Sequence, residues 1–199
     1  AARKRSAART SAVKIELAAI FLAAAVITWA YSAPPVRAKA RGMWSNFAIC
    51  IPRGMLLFVS GWTAVASPAR IDPWAAGAVL ALFVFGAAST KDFADVEGDR
   101  AFKVMTLPVR FGPAKAAKMI APFLAVPFLL VPALVAAGWL QRSALPCAAL
   151  AAYGLFVAFL MIKENSPDRK GKPSRASWIH MYLMLILAQL GFGLLYLLS

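Results

Sequence analysis

The chain has 199 residues, of which 61% are hydrophobic, and it carries a formal net charge of +14 at pH 7. Soluble domains are about half apolar, so this composition predicts a polytopic α-helical membrane protein. The basic residues stand in short blocks between apolar runs, without the interleaved aromatics of a nucleic-acid surface. We therefore expect the positive charge to contact membrane lipids and anionic substrates, and no nucleic acid.

Apolar runs of membrane-spanning length recur six times along the chain, and each run predicts a transmembrane helix. The expected fold class is therefore all-α, with about six spans in a single domain over residues 1–199. The predicted spans are residues 15–31, 46–66, 74–90, 119–140, 145–162 and 178–198.

Basic residues are distributed unequally between the two ends of these spans. Fourteen of them lie in the three segments that a six-span arrangement places on one side, namely 32–45, 91–118 and 163–177. The two connections on the other side carry one each, Arg70 and Arg142. Because Lys and Arg are retained in the cytoplasm, the three richer segments are predicted to face the cytoplasm from an inner (cell) membrane.

The second predicted span is interrupted early by Pro52 and Arg53. Proline leaves nearby backbone groups without their helical partner, and a charged side chain inside a span is costly unless its head is accommodated. Two interpretations of Arg53 remain open. Its guanidinium faces an internal cavity and binds substrate, or its long side chain extends to the membrane interface.

Half of the eight acidic residues lie between Asp92 and Asp99, directly after the third apolar run. Asp92, Asp95 and Asp99 are spaced three and four apart, which predicts that they share one face of a helix at the membrane surface. Mg²⁺ usually binds one or two carboxylates together with substrate phosphates. The spacing therefore predicts a metal–phosphate site, with a solvated loop of acids paired to neighbouring cations as the alternative.

Two further segments on the same predicted side carry basic residues. Residues 31–39 begin with Tyr31, continue through a Pro-Pro turn and include Arg37 and Lys39, and residues 106–112 include Arg110. Acids and bases on one membrane face are what the binding of a diphosphate through Mg²⁺ requires, since Lys and Arg neutralise the charge that the metal leaves.

The Asp95-x-x-x-Asp99 pattern, with Asp92 upstream and residues 106–112 downstream, resembles the second Asp-rich motif of the UbiA superfamily of intramembrane prenyltransferases. Residues 31–39 resemble the Tyr/Lys element after that family's fourth helix. The resemblance implies a nine-helix fold around a central cavity, of which the six spans here would be helices four to nine. It also implies Mg²⁺-dependent prenyl transfer from an isoprenyl diphosphate to a lipid-soluble acceptor, which is an aromatic, a quinone precursor, a tetrapyrrole or a glycerol phosphate.

By the same resemblance, Asp95 and Asp99 would be the catalytic acids and would bind the metal, with Asp92 as an additional ligand. The expected substrate-binding residues are polar or cationic and lie on or near the same face: Tyr31, Arg37, Lys39, Arg53, Lys91, Arg100 and Arg110. Many members have Gly where this chain has Lys103, which leaves the local loop geometry open.

The family's first Asp-rich motif and about three helices have no counterpart within these 199 residues. We therefore expect an N-terminally incomplete domain that is inactive alone and needs an N-terminal portion or a partner subunit. Residues 1–14, with five basic residues on the predicted outer side, fit this expectation if upstream sequence sets the orientation of the first span. They fit equally if the first predicted span, residues 15–31, does not cross the membrane in the predicted way.

One alternative function comes from a different class, a non-catalytic UbiA-like protein that binds isoprenoid lipid or a partner. Two other classes are disfavoured. A CDP-alcohol phosphotransferase needs an Asp-Gly-x-x-Ala-Arg core that the sequence lacks, and a soluble prenyl synthase has no transmembrane runs.

Overall fold

The computed structural model describes residues 2–167 and 176–198, and in these ranges the regular structure is helical, without β-strands. The α-helices are α1 (Ala2–Ser32), α2 (Met43–Cys50), α3 (Leu57–Val65), α4 (Asp72–Ala87), α5 (Val96–Ala101), α6 (Leu107–Phe111), α7 (Pro113–Leu129), α8 (Val131–Ala136), α9 (Leu150–Glu164) and α10 (Ala176–Leu197). The 3₁₀ segments are Ala38–Ala40, Ala88–Ala94 and Arg142–Ala149, and Ile51–Leu56 is a π-helix.

Six helical stretches of the described ranges are long and apolar enough to cross a membrane, which confirms the predicted all-α, multi-span architecture. We name them spans 1 to 6 in chain order: Val13–Ser32, Met43–Val65, Asp72–Ala94, Pro113–Ala136, Arg142–Glu164 and Ala176–Leu197. Each overlaps the corresponding predicted run. Part of the basic segment 163–177, including Lys170, lies outside the described residues.

Span 3 lies at the centre of the bundle. In the most apolar 18 residues of span 3, 78% of the residues are buried, against 6% in the corresponding stretch of span 1. Span 3 packs against spans 2 and 4, while span 5 packs against spans 4 and 6. Phe83 of span 3 and Phe128 of span 4 are fully buried, with ring centroids 5.5 Å apart. A helix that is apolar on every side is stable where neighbouring helices or lipid cover it, and neighbouring helices cover most of span 3.

Prolines account for two irregularities in the spans. Pro52 has no N–H to donate, so the chain around it widens into the π-helix Ile51–Leu56. The fourth span is broken at Leu130, where α7 ends and α8 begins with Pro132 in its first turn. Helical structure resumes after both prolines, so each span keeps its length.

A buried amide joins span 2 to span 3. The Nδ2 group of Asn46 donates one hydrogen bond to the Phe85 carbonyl oxygen, at 2.6 Å, and another to Ser89 Oγ, at 2.7 Å. Asn46 is 6% exposed, so both bonds form away from water, where an unpaired amide would be costly. The two hydrogen bonds therefore fix the rotation of one span against the other.

We predict that Asn46→Ala lowers the free energy of unfolding by about 1–3 kcal/mol, because two buried acceptors lose their donor. Denaturation of the detergent-solubilised protein measures the change. Asn165→Ala is the matched control, since among the described residues the Asn165 side-chain amide donates to the Met161 carbonyl of α9, the helix that it directly follows, and bridges no two spans. An equal loss in both variants would contradict the role given to Asn46.

Candidate active site at the acidic end of span 3

A cavity of about 390 Å³ lies where spans 1, 2 and 3 meet the acidic stretch. Its lining includes seven of the ten predicted site residues: Tyr31, Arg37, Lys39, Lys91, Asp92, Asp95 and Asp99. The two segments that the sequence separates by some fifty residues therefore face the same space. We call this space the site cavity.

The three aspartates do not share one regular helix, contrary to the expectation from their spacing. Asp92 lies in the 3₁₀ segment Ala88–Ala94, and Asp95 leaves helical geometry, with φ −129° and ψ 31°. Asp99 then lies in the short helix α5. Clustered carboxylates and the preference of Asp for helix starts both oppose a continuous helix here. The break turns the chain, and all three carboxylates still line the cavity.

Asp99 is held through both its backbone and its side chain. The Val104 and Lys103 amides donate to the Asp99 and Arg100 carbonyls, at 2.8 and 3.1 Å, which is the bond pattern of a Schellman motif ending α5. The Thr106 hydroxyl donates to Asp99 Oδ2, at 3.1 Å. Thr106 was given no role from sequence, because a lone Thr carries no signal of its partner.

The Schellman motif places Lys103 in the left-handed region, with φ +55°. That region favours glycine because it strains residues that have a Cβ atom. The conformation gives a physical reason for Gly at this position among proteins that share the motif. Lys103 adopts the same turn at some cost in stability.

Gly98 leaves room for the Asp95 carboxylate. A Cβ atom built on Gly98 would overlap Asp95 Oδ1, so any larger residue would displace that side chain. Asp95 is the N-cap residue of α5, and its carboxylate makes no capping hydrogen bond there. The Asp95 carboxylate therefore packs against α5 at Gly98 but is not hydrogen-bonded to the N-terminus of that helix.

The basic segment is also ordered by local contacts. The Arg41 guanidinium donates to the Pro35 carbonyl, at 3.2 Å, across the Pro-Pro turn. Gly42 has a φ of +57°, and a Cβ atom on it would lie 3.3 Å from the Met105 carbonyl oxygen. The loop before span 2 thus packs closely on the loop after α5, and the two motif-bearing segments are in contact.

The acids do not pair with their neighbours. Among the described residues, none of the three aspartates forms an ion pair with the neighbouring cations Lys91, Arg100 and Lys103. This finding weakens the alternative of a solvated loop of mutually neutralised charges. Carboxyl groups and basic side chains thus line one cavity without pairing with each other, which leaves both available to a ligand.

The described ranges contain no group of three His, Cys, Asp or Glu side chains placed to hold a metal ion by themselves. Mg²⁺ seldom needs such a cage, because it commonly takes one or two carboxylates and completes its coordination with phosphate oxygens and water. Asp92, Asp95 and Asp99 fit that shared mode of binding, since oxygen donors and cations line the same cavity.

Three predicted site residues lie outside the lining of the site cavity. Arg100 is exposed on α5, rotated about 100° around the helix from Asp99. Arg110 is exposed, with its guanidinium carbon 5.2 Å from the centroid of the neighbouring Phe111 ring. Arg53 lies deeper in span 2, with its guanidinium over the Tyr182 ring of span 6.

Comparison with known proteins bears directly on this geometry. The model of the UbiA prenyltransferase family matches residues 6–186, which is most of the chain. The chain belongs to the UbiA prenyltransferase family. Its multiple spans accord with an integral, multi-pass membrane protein. No solved structure gave a significant match.

Relatives with assigned names come from plants and bacteria. The chain is 30% identical over 138 residues to the chloroplastic chlorophyll synthase of Arabidopsis thaliana, covering 68% of this chain and 34% of that protein. Identity to the 33 kDa chain of bacteriochlorophyll synthase from Cereibacter sphaeroides is 34% over 101 residues, 49% of this chain and 33% of the relative. Homogentisate phytyltransferase of Synechocystis sp. is 34% identical over 93 residues, 44% and 30% of the two chains. The matched part is thus about a third of each relative's length.

We predict that Lys103→Gly raises the free energy of unfolding by about 0.5–1 kcal/mol, because relief of left-handed strain exceeds the entropic cost of glycine. Lys118→Gly, at an exposed position inside α7, should instead destabilise by about 1 kcal/mol. Paired denaturation curves in one detergent give both values. Destabilisation by both variants would refute the strain at Lys103.

We predict that Gly98→Ala displaces the Asp95 carboxylate and weakens Mg²⁺-dependent binding of inorganic diphosphate, while thermal stability stays equal or rises. Alanine favours a helix more than glycine does, so a folding defect is not expected. Ala101→Gly, at an exposed position of the same helix, is the control for changes in helix stability. Unchanged diphosphate binding in Gly98→Ala would show that the position of Asp95 does not matter.

Proposed function

We propose that this protein transfers a prenyl group from an isoprenyl diphosphate to a lipid-soluble acceptor within the membrane, with Mg²⁺ as cofactor. The main support is the site cavity, in which three aspartates share a lining with Arg37, Lys39 and Lys91. A diphosphate carries several negative oxygens, so its site needs carboxylates for the metal as well as cations that contact the phosphates directly. Family membership supports the same reaction class.

In this proposal Asp95 and Asp99 hold Mg²⁺, with Asp92 as a further oxygen donor. Bound there, Mg²⁺ supplies charge neutralisation to the leaving diphosphate. Thr106 holds the Asp99 side chain through its hydrogen bond and so orients one carboxylate before substrate arrives. The roles of all three acids depend on their being ionised and accessible from the cavity.

The cationic residues act on the diphosphate itself. Arg37, Lys39 and Lys91 donate hydrogen bonds to phosphate oxygens, and the Tyr31 hydroxyl supplies a further donor. During reaction the bond between the allylic carbon and the diphosphate oxygen breaks, and its electron pair leaves with the diphosphate. The acceptor then bonds to that carbon and loses a proton. Donors fixed in a site of low dielectric stabilise the developing charge more strongly than water does.

The acceptor class follows from the relatives only in outline. Two of them are named for chlorophyll or bacteriochlorophyll synthesis and one for homogentisate phytyl transfer. We infer an acceptor that is a tetrapyrrole, an aromatic or quinone precursor, or a glycerol phosphate. We also infer that the site cavity lies on the cytoplasmic side of an inner (cell) membrane, because basic residues are in fourteen-to-two excess on that side.

A non-catalytic UbiA-like protein that binds isoprenoid lipid is the competing proposal. One observation favours it, the lack of a three-ligand metal group among the described residues. The two proposals differ in a measurable way. A catalyst needs Mg²⁺ and forms a new prenyl bond, whereas a binding protein retains the intact diphosphate or the free lipid.

The test is transfer of a labelled geranylgeranyl group to a panel of tetrapyrrole and aromatic acceptors by the protein in its native membrane. We predict that Asp99→Asn lowers turnover roughly a hundredfold or more, because the amide keeps the shape but not the charge that the metal requires. Glu97→Gln is the matched control, since Glu97 lies in the same stretch but outside the cavity lining. It should leave turnover close to normal.

Mg²⁺-dependent binding of labelled diphosphate is measured in the same membranes. Full turnover by Asp99→Asn would refute the metal site. Tight binding without product for any acceptor would favour the isoprenoid-binding alternative.

A further inference from the structure

Beyond the site cavity, spans 2 and 6 meet through long side chains in the second half of span 2. Three side-chain contacts bridge them. The Arg53 guanidinium carbon lies 5.2 Å from the Tyr182 ring centroid, the Phe58 and Phe192 rings are 6.1 Å apart, and the Trp62 and Tyr196 rings are 4.9 Å apart. These pairs follow one another down the two helices from the acidic end. Together they define a seam between spans 2 and 6.

Two openings lie along this seam, one directly beyond the site cavity and one further on. The first has a volume of about 20 Å³ and shares Ile49, Ala88 and Lys91 with the lining of the site cavity. Arg53 and Tyr182 also line it, together with Val84 and Leu185. A volume of this size holds roughly one water molecule, so no isoprene unit fits.

The second opening is a groove of about 670 Å³ between spans 2 and 6, towards the opposite end of the bundle. Leu57, Phe58, Gly61 and Leu197 form much of its apolar lining. On span 2 the residues Arg53, Leu57 and Gly61 are spaced four apart, so the groove continues the helix face on which the small opening lies. The groove is large enough for an apolar chain, but the small opening of about 20 Å³ lies between it and the site cavity.

Arg53 lies at mid-span. It is ten residues from the start of span 2 at Met43, or about 15 Å along the helix axis. Arg53 is an exposed residue whose guanidinium is covered on one face by the Tyr182 ring. This cation–π contact holds the charge against span 6 at that depth. The two interpretations from sequence both stay predictions.

We propose that the Arg53–Tyr182 contact closes the inner end of the site cavity and thereby sets the longest isoprenoid chain that the protein accepts. This inference rests on the proposed function, because the carboxylates and cations must hold the diphosphate at the opposite, polar end. The apolar residues that lead inward from that end are Ile49 and Ala88, which also line the small opening. A tail that follows them stops at the small opening, which is too narrow for an isoprene unit, and the groove beyond is reached only if the Arg53–Tyr182 pair separates.

The test compares binding of geranyl, farnesyl, geranylgeranyl and longer polyprenyl diphosphates to the protein in nanodiscs, with Mg²⁺ present. In the unmodified protein, affinity rises with chain length up to a limit and then falls. Tyr182→Ala should move that limit to longer chains, with a gain of roughly tenfold or more for the first chain beyond it, because another apolar unit is buried in the groove. Tyr182→Phe keeps the ring and should keep the limit.

Two further variants separate this effect from general loosening of the bundle. Tyr182→Trp enlarges the ring and should move the limit to shorter chains, a direction that unfolding does not produce. Tyr153→Ala makes the same change as Tyr182→Ala at a tyrosine on span 5, whose hydroxyl lies 2.7 Å from His180 Nδ1 and which is absent from the linings of the described cavities. It should leave the limit unchanged.

The possible failures are distinguishable. If the unmodified protein binds no isoprenyl diphosphate of any length, the proposed function fails and the inference fails with it. If it binds the series but Tyr182→Ala and Tyr182→Trp show the same limit, the proposed function stands and the inference is overturned. If Tyr182→Ala weakens the binding of every chain length equally, the Arg53–Tyr182 pair contacts the diphosphate and does not limit the tail. That result also overturns the inference.

Discussion

The hydrogen bonds from the Asn46 amide to span 3 set the geometry on which the site depends. Each helix of a membrane bundle satisfies its own backbone groups, so few polar contacts are left to orient one helix against the next. Here the basic segment leads into span 2 and the acidic stretch leaves span 3. The relative position of these two spans therefore determines how far the cations lie from the carboxylates. A small rotation of either span would separate the two halves of the cavity lining.

The bundle is predictable from sequence because its signal is long and redundant. Each span is 20 to 24 residues long and predominantly apolar, so no single residue decides whether the helix exists. The shared location of Lys39 and Asp99 was predictable for a related reason, since both follow an odd-numbered span and so emerge on one side. The break at Asp95 was not predictable, because it depends on a balance between helix propagation and local repulsion that spacing alone does not reveal.

Contacts between residues far apart in the chain could not be predicted from the sequence either. The location of Arg53 depends on Tyr182, which lies on a different span and carries no charge that would mark it as a partner. The function of Gly98 depends on the direction of the Asp95 side chain, which composition does not encode. By contrast, the interruption at Pro52 was predicted, because a missing N–H acts on its own helix whatever the tertiary structure, although its π-helical form was not.

The loop between α5 and α6 connects the two halves of the site mechanically. Asp99 is bonded to Val104 through its carbonyl and to Thr106 through its carboxylate, and Met105 between them touches Gly42 of the basic loop. The loop that positions Asp99 is therefore packed directly against the loop that carries Lys39. A side chain added at Gly42 would press on the Met105 backbone as well as strain its own, so one substitution on the basic side would disturb the acidic side of the cavity.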